Sequence, residues 1–71
     1  MSFADWAISN TAAAEELVAQ LPTASMMTER LAFAVTDSGQ TEAFCGAFAQ
    51  STSPRVRAIL AEIKRFDLTC G

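Results

Sequence analysis

The stretch Ser53-Pro54-Arg55-Val56-Arg57-Ala58-Ile59-Leu60-Ala61-Glu62-Ile63-Lys64-Arg65-Phe66 constrains this chain more than any other. A serine hydroxyl can accept from the free amides at a helix start. A proline directly after it loses no hydrogen bond and already has a helical φ. Behind that start signal, Val56, Ile59, Leu60, Ile63 and Phe66 recur at offsets of three, four, seven and ten residues. Those offsets fit a 3.6-residue period and no two-residue period. At about 100° per residue they span a sector of roughly 120°, the width of a core-facing stripe. Arg57 and Lys64 border the stripe on one side, Arg55 and Glu62 on the other, with Arg65 further back. The pattern predicts a helix over 54–67, with Glu62 and Arg65 spaced to pair. The remaining elements are expected to pack around it.

How they can do so depends on size. Seventy-one residues make one domain, expected over 1–71 with 68–71 as a flexible tail. Twenty large apolar side chains suffice for a small core, and fourteen alanines add helix propensity rather than buried area. Charged residues are only 18% of the chain, below the usual quarter. A small helical protein this apolar is expected to leave part of its apolar surface uncovered unless it associates.

Residues 2–21 read as helical, in one piece or in two with a break at Ser9-Asn10-Thr11. Ser2 is the cap, and Asp5 stands where a capping-box acid would. Phe3, Trp6, Ala13, Ala14, Leu17 and Leu21 share the expected inner face, and Pro22-Thr23 ends the segment. Ser25 is the expected cap of a helix near 25–37, with Met27, Leu31, Ala34 and Val35 as its stripe. Met26 and Phe33 widen that apolar surface around one side. Ser38-Gly39 is a stop signal. A shorter helix is expected over about 41–51, capped by Thr41, with Phe44, Ala47 and Phe48 inward and Gly46 allowing a neighbour to approach closely. No segment alternates like a strand. The expectation is an all-α fold, a small bundle of about four short helices with short loops and antiparallel neighbours.

The inventory excludes much chemistry. There is no histidine, which removes the commonest general base and the commonest metal ligand. Two cysteines 25 residues apart form no zinc motif, and three scattered glycines form no phosphate loop. No catalytic, cofactor-binding or metal-binding residue is therefore nominated, and no enzyme activity is expected. Met1 to Trp6 carry no basic residue ahead of an apolar run, and no stretch is long and apolar enough to span a membrane. The expected location is cytoplasmic, with both cysteines as thiols.

Charge is unevenly placed within the net −3. Residues 1–53 hold six acidic groups against Arg30 alone, whereas 54–71 hold Arg55, Arg57, Lys64 and Arg65 against Glu62 and Asp67. The leading expectation is a non-catalytic, acidic, cytoplasmic protein-interaction module: an accessory subunit, adaptor or inhibitor that binds a protein partner, self-associates, or both. Its interaction residues are expected to be Arg57, Ile59, Leu60, Ile63, Lys64 and Phe66. An alternative is a carrier or precursor whose Cys70-Gly71 tail is modified by another enzyme, with Cys70 as the exposed thiol. Two Ala-rich helices followed by a Ser-Gly turn resemble the leader regions of ribosomally made peptide precursors. A third reading, weak nucleic-acid binding by the basic helix, is disfavoured by the acidic balance and by the lack of base-stacking aromatics.

Overall fold

In a computed structural model, which describes residues 2–22 and 25–71, five helices enclose one core. They are α1 (Phe3–Ser9), α2 (Thr11–Gln20), α3 (Ser25–Asp37), α4 (Thr41–Ala47) and α5 (Pro54–Lys64). The described residues are helical or in turns and loops, and they include no strand.

The fifth helix arises because the first segment breaks. Asn10 has φ −139°, outside the helical range, and its side-chain amide donates to the Trp6 carbonyl at 2.9 Å. That bond satisfies an acceptor left free at the end of α1. The break turns the second half relative to the first, so the inner face of α2 carries Ala14 and Val18. The expected Leu17 is 43% exposed, and Ala13 is also exposed. Ser2 does cap α1, its hydroxyl accepting from the Asp5 amide at 3.1 Å and donating to the Asp5 carboxylate at 3.0 Å.

Ser25 is the first helical residue of α3 rather than its cap; the position before it lies outside the described residues, as does Thr23. The stop at Ser38-Gly39 forms as its residues dictate. Gly39 takes φ +76°, where a side chain would clash with the backbone, and the Ser38 hydroxyl donates to the Val35 carbonyl at 2.7 Å. α4 starts at Thr41 after Gln40 and ends at Ala47, giving way to turns four residues before the expected end. Gly46 has open space around it, and no neighbour among the described residues approaches there.

α5 starts as its signals predict. The Ser53 hydroxyl accepts from the Val56 amide at 3.4 Å and Pro54 is the first helical residue. It stops at Lys64, three residues short of the expected end. Arg65 and Phe66 donate to the carbonyls of Glu62 and Ile63, three residues back, which tightens the chain into a turn. Val56, Ile59 and Ile63 are buried and Leu60 is half-buried, whereas Phe66 is swung outside, 69% exposed.

α5 lies mainly against α3, with α2 also beside it; α1 packs on α2, α3 and α4. The core mixes small and large parts. Ala4, Ala7, Ala14 and Ala32 are buried beside Ile59, Ile63, Val35, Phe44 and Phe48. The alanines thus contribute to packing as well as to propensity, because they let helix backbones approach. Phe3, Phe44 and Phe48 add an aromatic row, with ring centres 6.1 Å and 4.7 Å apart, and Trp6 flanks Phe3.

The cysteines correct the sequence reading. Cys45 and Cys70 form a disulfide, with Cα atoms 5.3 Å apart, and both are buried. Cys70 is therefore neither a thiol nor exposed. The return that delivers it is set by Asp67, whose carboxylate accepts from the Thr69 amide at 3.0 Å and from the Thr69 hydroxyl at 2.7 Å. Such an Asx turn reverses the chain locally. Leu68, at the tip of the return, stays 97% exposed.

Candidate functional site

The residues nominated on α5 divide between inside and outside. Ile59 and Ile63 are 1% and 0% exposed, so they hold the fold and cannot meet a partner. Leu60 is half-buried at the edge of the core. Arg57 and Lys64 are exposed and flank a shallow depression with Ala49, Ser51, Leu60 and Ala61. They pair with no acidic side chain, since the ion pair found among the described residues joins Arg65 and Glu62 at 3.2 Å. The acidic helices therefore do not neutralise the basic border of α5. Arg55 instead donates from Nη2 to the Pro22 carbonyl at 2.6 Å, fastening the α2–α3 connection to the start of α5.

Phe66 leads to a different surface. With Met26, Glu29, Arg30 and Phe33 it lines an open cleft of about 450 Å³ on the outer side of α3. α3 turns Ala32 and Val35 into the core, with Leu31 packed against it. Its opposite side presents Met26 at 61% and Phe33 at 69% exposure. Residues 26, 29, 30 and 33 are spaced three, four and seven apart and so share one helical face. Pro22 and Met27 extend the apolar surface past Met26. The sequence had flagged Met26 and Phe33 as widening an apolar stripe. It did not single them out, because α3 carries apolar residues on both sides and periodicity alone cannot say which side is inward.

The second cluster surrounds the disulfide, where Glu42, Lys64, Thr69 and Gly71 rim a small cleft. Two residues before Thr69 in the chain, Asp67 is held by the turn that leads into this cleft. Hydrogen bonds from the Thr69 side chain, then the Thr69 backbone, then the Thr41 side chain hold its carboxyl below the ordinary 3.8. A carboxyl lowered in the folded state stabilises the fold above its ordinary value, and that contribution is lost as pH falls through the folded value. The turn at 67–70 is therefore expected to loosen only below pH 3.8. An NMR titration should place the Asp67 midpoint below that value, with the Thr69 amide shift following the same curve. A midpoint at or above it would mean that the turn is not held by the ionised carboxylate.

Among the described residues no three acidic or cysteine side chains converge in a way that could hold a metal ion, and no helix is long and apolar enough to cross a membrane. Compared with known proteins, the chain matches no family model, no curated protein and no solved structure.

Proposed function

We propose that this chain is a small, non-catalytic helical interaction module, an accessory subunit, adaptor or inhibitor that works by docking its α3 face on a protein. The observation that carries the reading is the cleft of Met26, Phe33 and Phe66. These large apolar side chains stand together in solvent, whereas Phe44 and Phe48 are buried in the core. Contiguous exposed apolar surface with a charged border is characteristic of an interaction site. Of the residues nominated from sequence, Phe66 belongs to this face; Arg57, Lys64 and the edge of Leu60 lie on α5 outside it.

The test is a photoreactive amino acid in place of Phe33, in cells that produce the protein natively. Irradiation is expected to give a discrete adduct, and none from the same probe at Ala12, which is exposed on α2. No adduct at position 33 would sink the reading.

The two other readings gain no supporting contact. Cys70 is engaged by Cys45, which leaves no terminal thiol to modify. On the basic helix, Arg55 and Arg65 are already bonded within the chain. The disulfide also bears on location. Disulfides persist in oxidising compartments and are rare in a reducing cytosol, so an extracytoplasmic setting fits this chain better than the cytoplasmic one expected when its cysteines were read as thiols.

A further inference from the structure

The charges beside the α3 cleft select what covers it. A helix advances about 100° and 1.5 Å per residue. Met26 and Phe33 are therefore only about 20° apart around α3, on a line that runs nearly along the helix axis. Glu29 and Arg30 lie between them in height and about 50° to either side of that line. Both are exposed, and neither belongs to an ion pair among the described residues. The face is thus an apolar seam with a negative border on one side and a positive border on the other, both at mid-height.

We propose that the occupant of this face is a second copy of the chain, with the two α3 helices parallel about a two-fold axis along the Met26–Phe33 seam. The proposal rests on the interaction-module reading and names its partner. A two-fold axis makes the two contact patches identical, so the patch must complement itself. When that axis runs along the helices, it sets the left border of one against the right border of the other. Glu29 then meets Arg30 of the second copy, Arg30 meets Glu29 of the second copy, and Met26 and Phe33 each pack against their counterparts. An axis across the helices, the antiparallel arrangement, would set Glu29 against Glu29 and Arg30 against Arg30. Like charges in direct opposition disfavour a pairing strongly. The parallel dimer is accordingly the two-fold arrangement that this face complements, and no third molecule is needed to supply the opposite charges. Phe66, lining the same cleft, adds apolar area beside the seam. A contact centred on a single 13-residue helix is at the small end of specific interfaces, so the dissociation constant is expected at about 10–100 µM.

Sedimentation equilibrium of the full chain tests this at about 200 µM protein, above the expected constant, and about 50 mM salt, where screening is weak. Wild type is expected to dimerise. Glu29→Arg and Arg30→Glu should each weaken the dimer at least about tenfold by creating two like-charge contacts. The double exchange, Glu29→Arg with Arg30→Glu, should return the constant close to wild type. At about 1 µM, below the expected constant, all four proteins should melt alike, because both positions are exposed. The dimer proposal is overturned by a monomeric wild type at this concentration. It is equally overturned by single reversals that dimerise as well as wild type, or by a double exchange as weak as the singles. A monomeric wild type together with a Phe33 adduct to a different protein would remove the second copy as occupant and leave the interaction reading intact. Absence of any adduct would remove the interaction reading itself.

Discussion

Ile63→Asp is expected to unfold the protein. Ile63 is fully buried in the cluster that also contains Ile59, Val35, Val56 and Val18. A carboxylate placed there would have no cationic partner, because the charged residues of α5 lie at the surface or at its edge. Leaving a buried charge unpaired costs about 3–5 kcal/mol, with a further loss from the cavity left by isoleucine. A domain of this length has a stability of only about 4–10 kcal/mol. Far-UV circular dichroism should therefore show little or no cooperative melting. Phe66→Asp is the informative companion. Phe66 continues the same apolar period in the sequence, yet it lies outside the core, so its substitution should leave the melting temperature within a few degrees of wild type, as surface changes usually do. Equal loss in both variants would mean that the helix continues to Phe66 and that the stripe is core throughout.

Removing the disulfide is the second large expected effect. Cys45 and Cys70 are 25 residues apart, and closing a loop of that length restricts the unfolded chain by about 3.5 kcal/mol in the chain-entropy treatment. That is a large share of the margin just given. Each kcal/mol shifts the melting temperature of a domain this size by about 4–8 °C, so Cys45→Ala with Cys70→Ala is expected to melt about 15–25 °C lower. Wild type treated with reductant should fall by a similar amount. If reduced and oxidised protein melted together, the bond would contribute nothing to the fold, and the case for an oxidising compartment would lose its support.

The two substitutions mark what could be read from the chain and what could not. Two of the four expected helix caps were legible, because caps are local chemistry, whereas Ser25 and Thr41 became first helical residues instead. Ser2, Ser53 with Pro54, and the stop at Gly39 appear where their side chains place them. The inward side of each helix was legible only when one face was apolar. On α5 that gave Val56, Ile59 and Ile63 correctly. On α2 the periodicity was carried across Asn10 as though the helix were continuous, and the break rotated the true face to Ala14 and Val18. On α3 two apolar sides competed, and packing against α5 decided between them. Phe66 shows the same limit at a helix end: an offset of ten residues means a shared face only while the helix continues, and the chain turns off after Lys64. The cysteine pairing had no local sign at all. It depends on how Asp67 bends the chain back, a hydrogen-bonding event at one carboxylate, and on where α4 lies in space. The candidate surface was legible only in part. Its Met26, Phe33 and Phe66 were visible as apolar residues, but their exposure is a result of the tertiary fold.

The link between Cys45 and Cys70 also changes how a tug applied beyond Cys70 would travel. In an uncrosslinked bundle, tension applied at Gly71 would run back along the backbone and peel α5 from α3, turn by turn. Here the first firm anchor it meets is the sulfur bridge, one residue in, which passes the load directly to α4 in the middle of the chain. α5 sits inside the closed ring and is bypassed. A pull applied beyond Cys70 therefore loads α4 and its aromatic row and leaves the central helix slack.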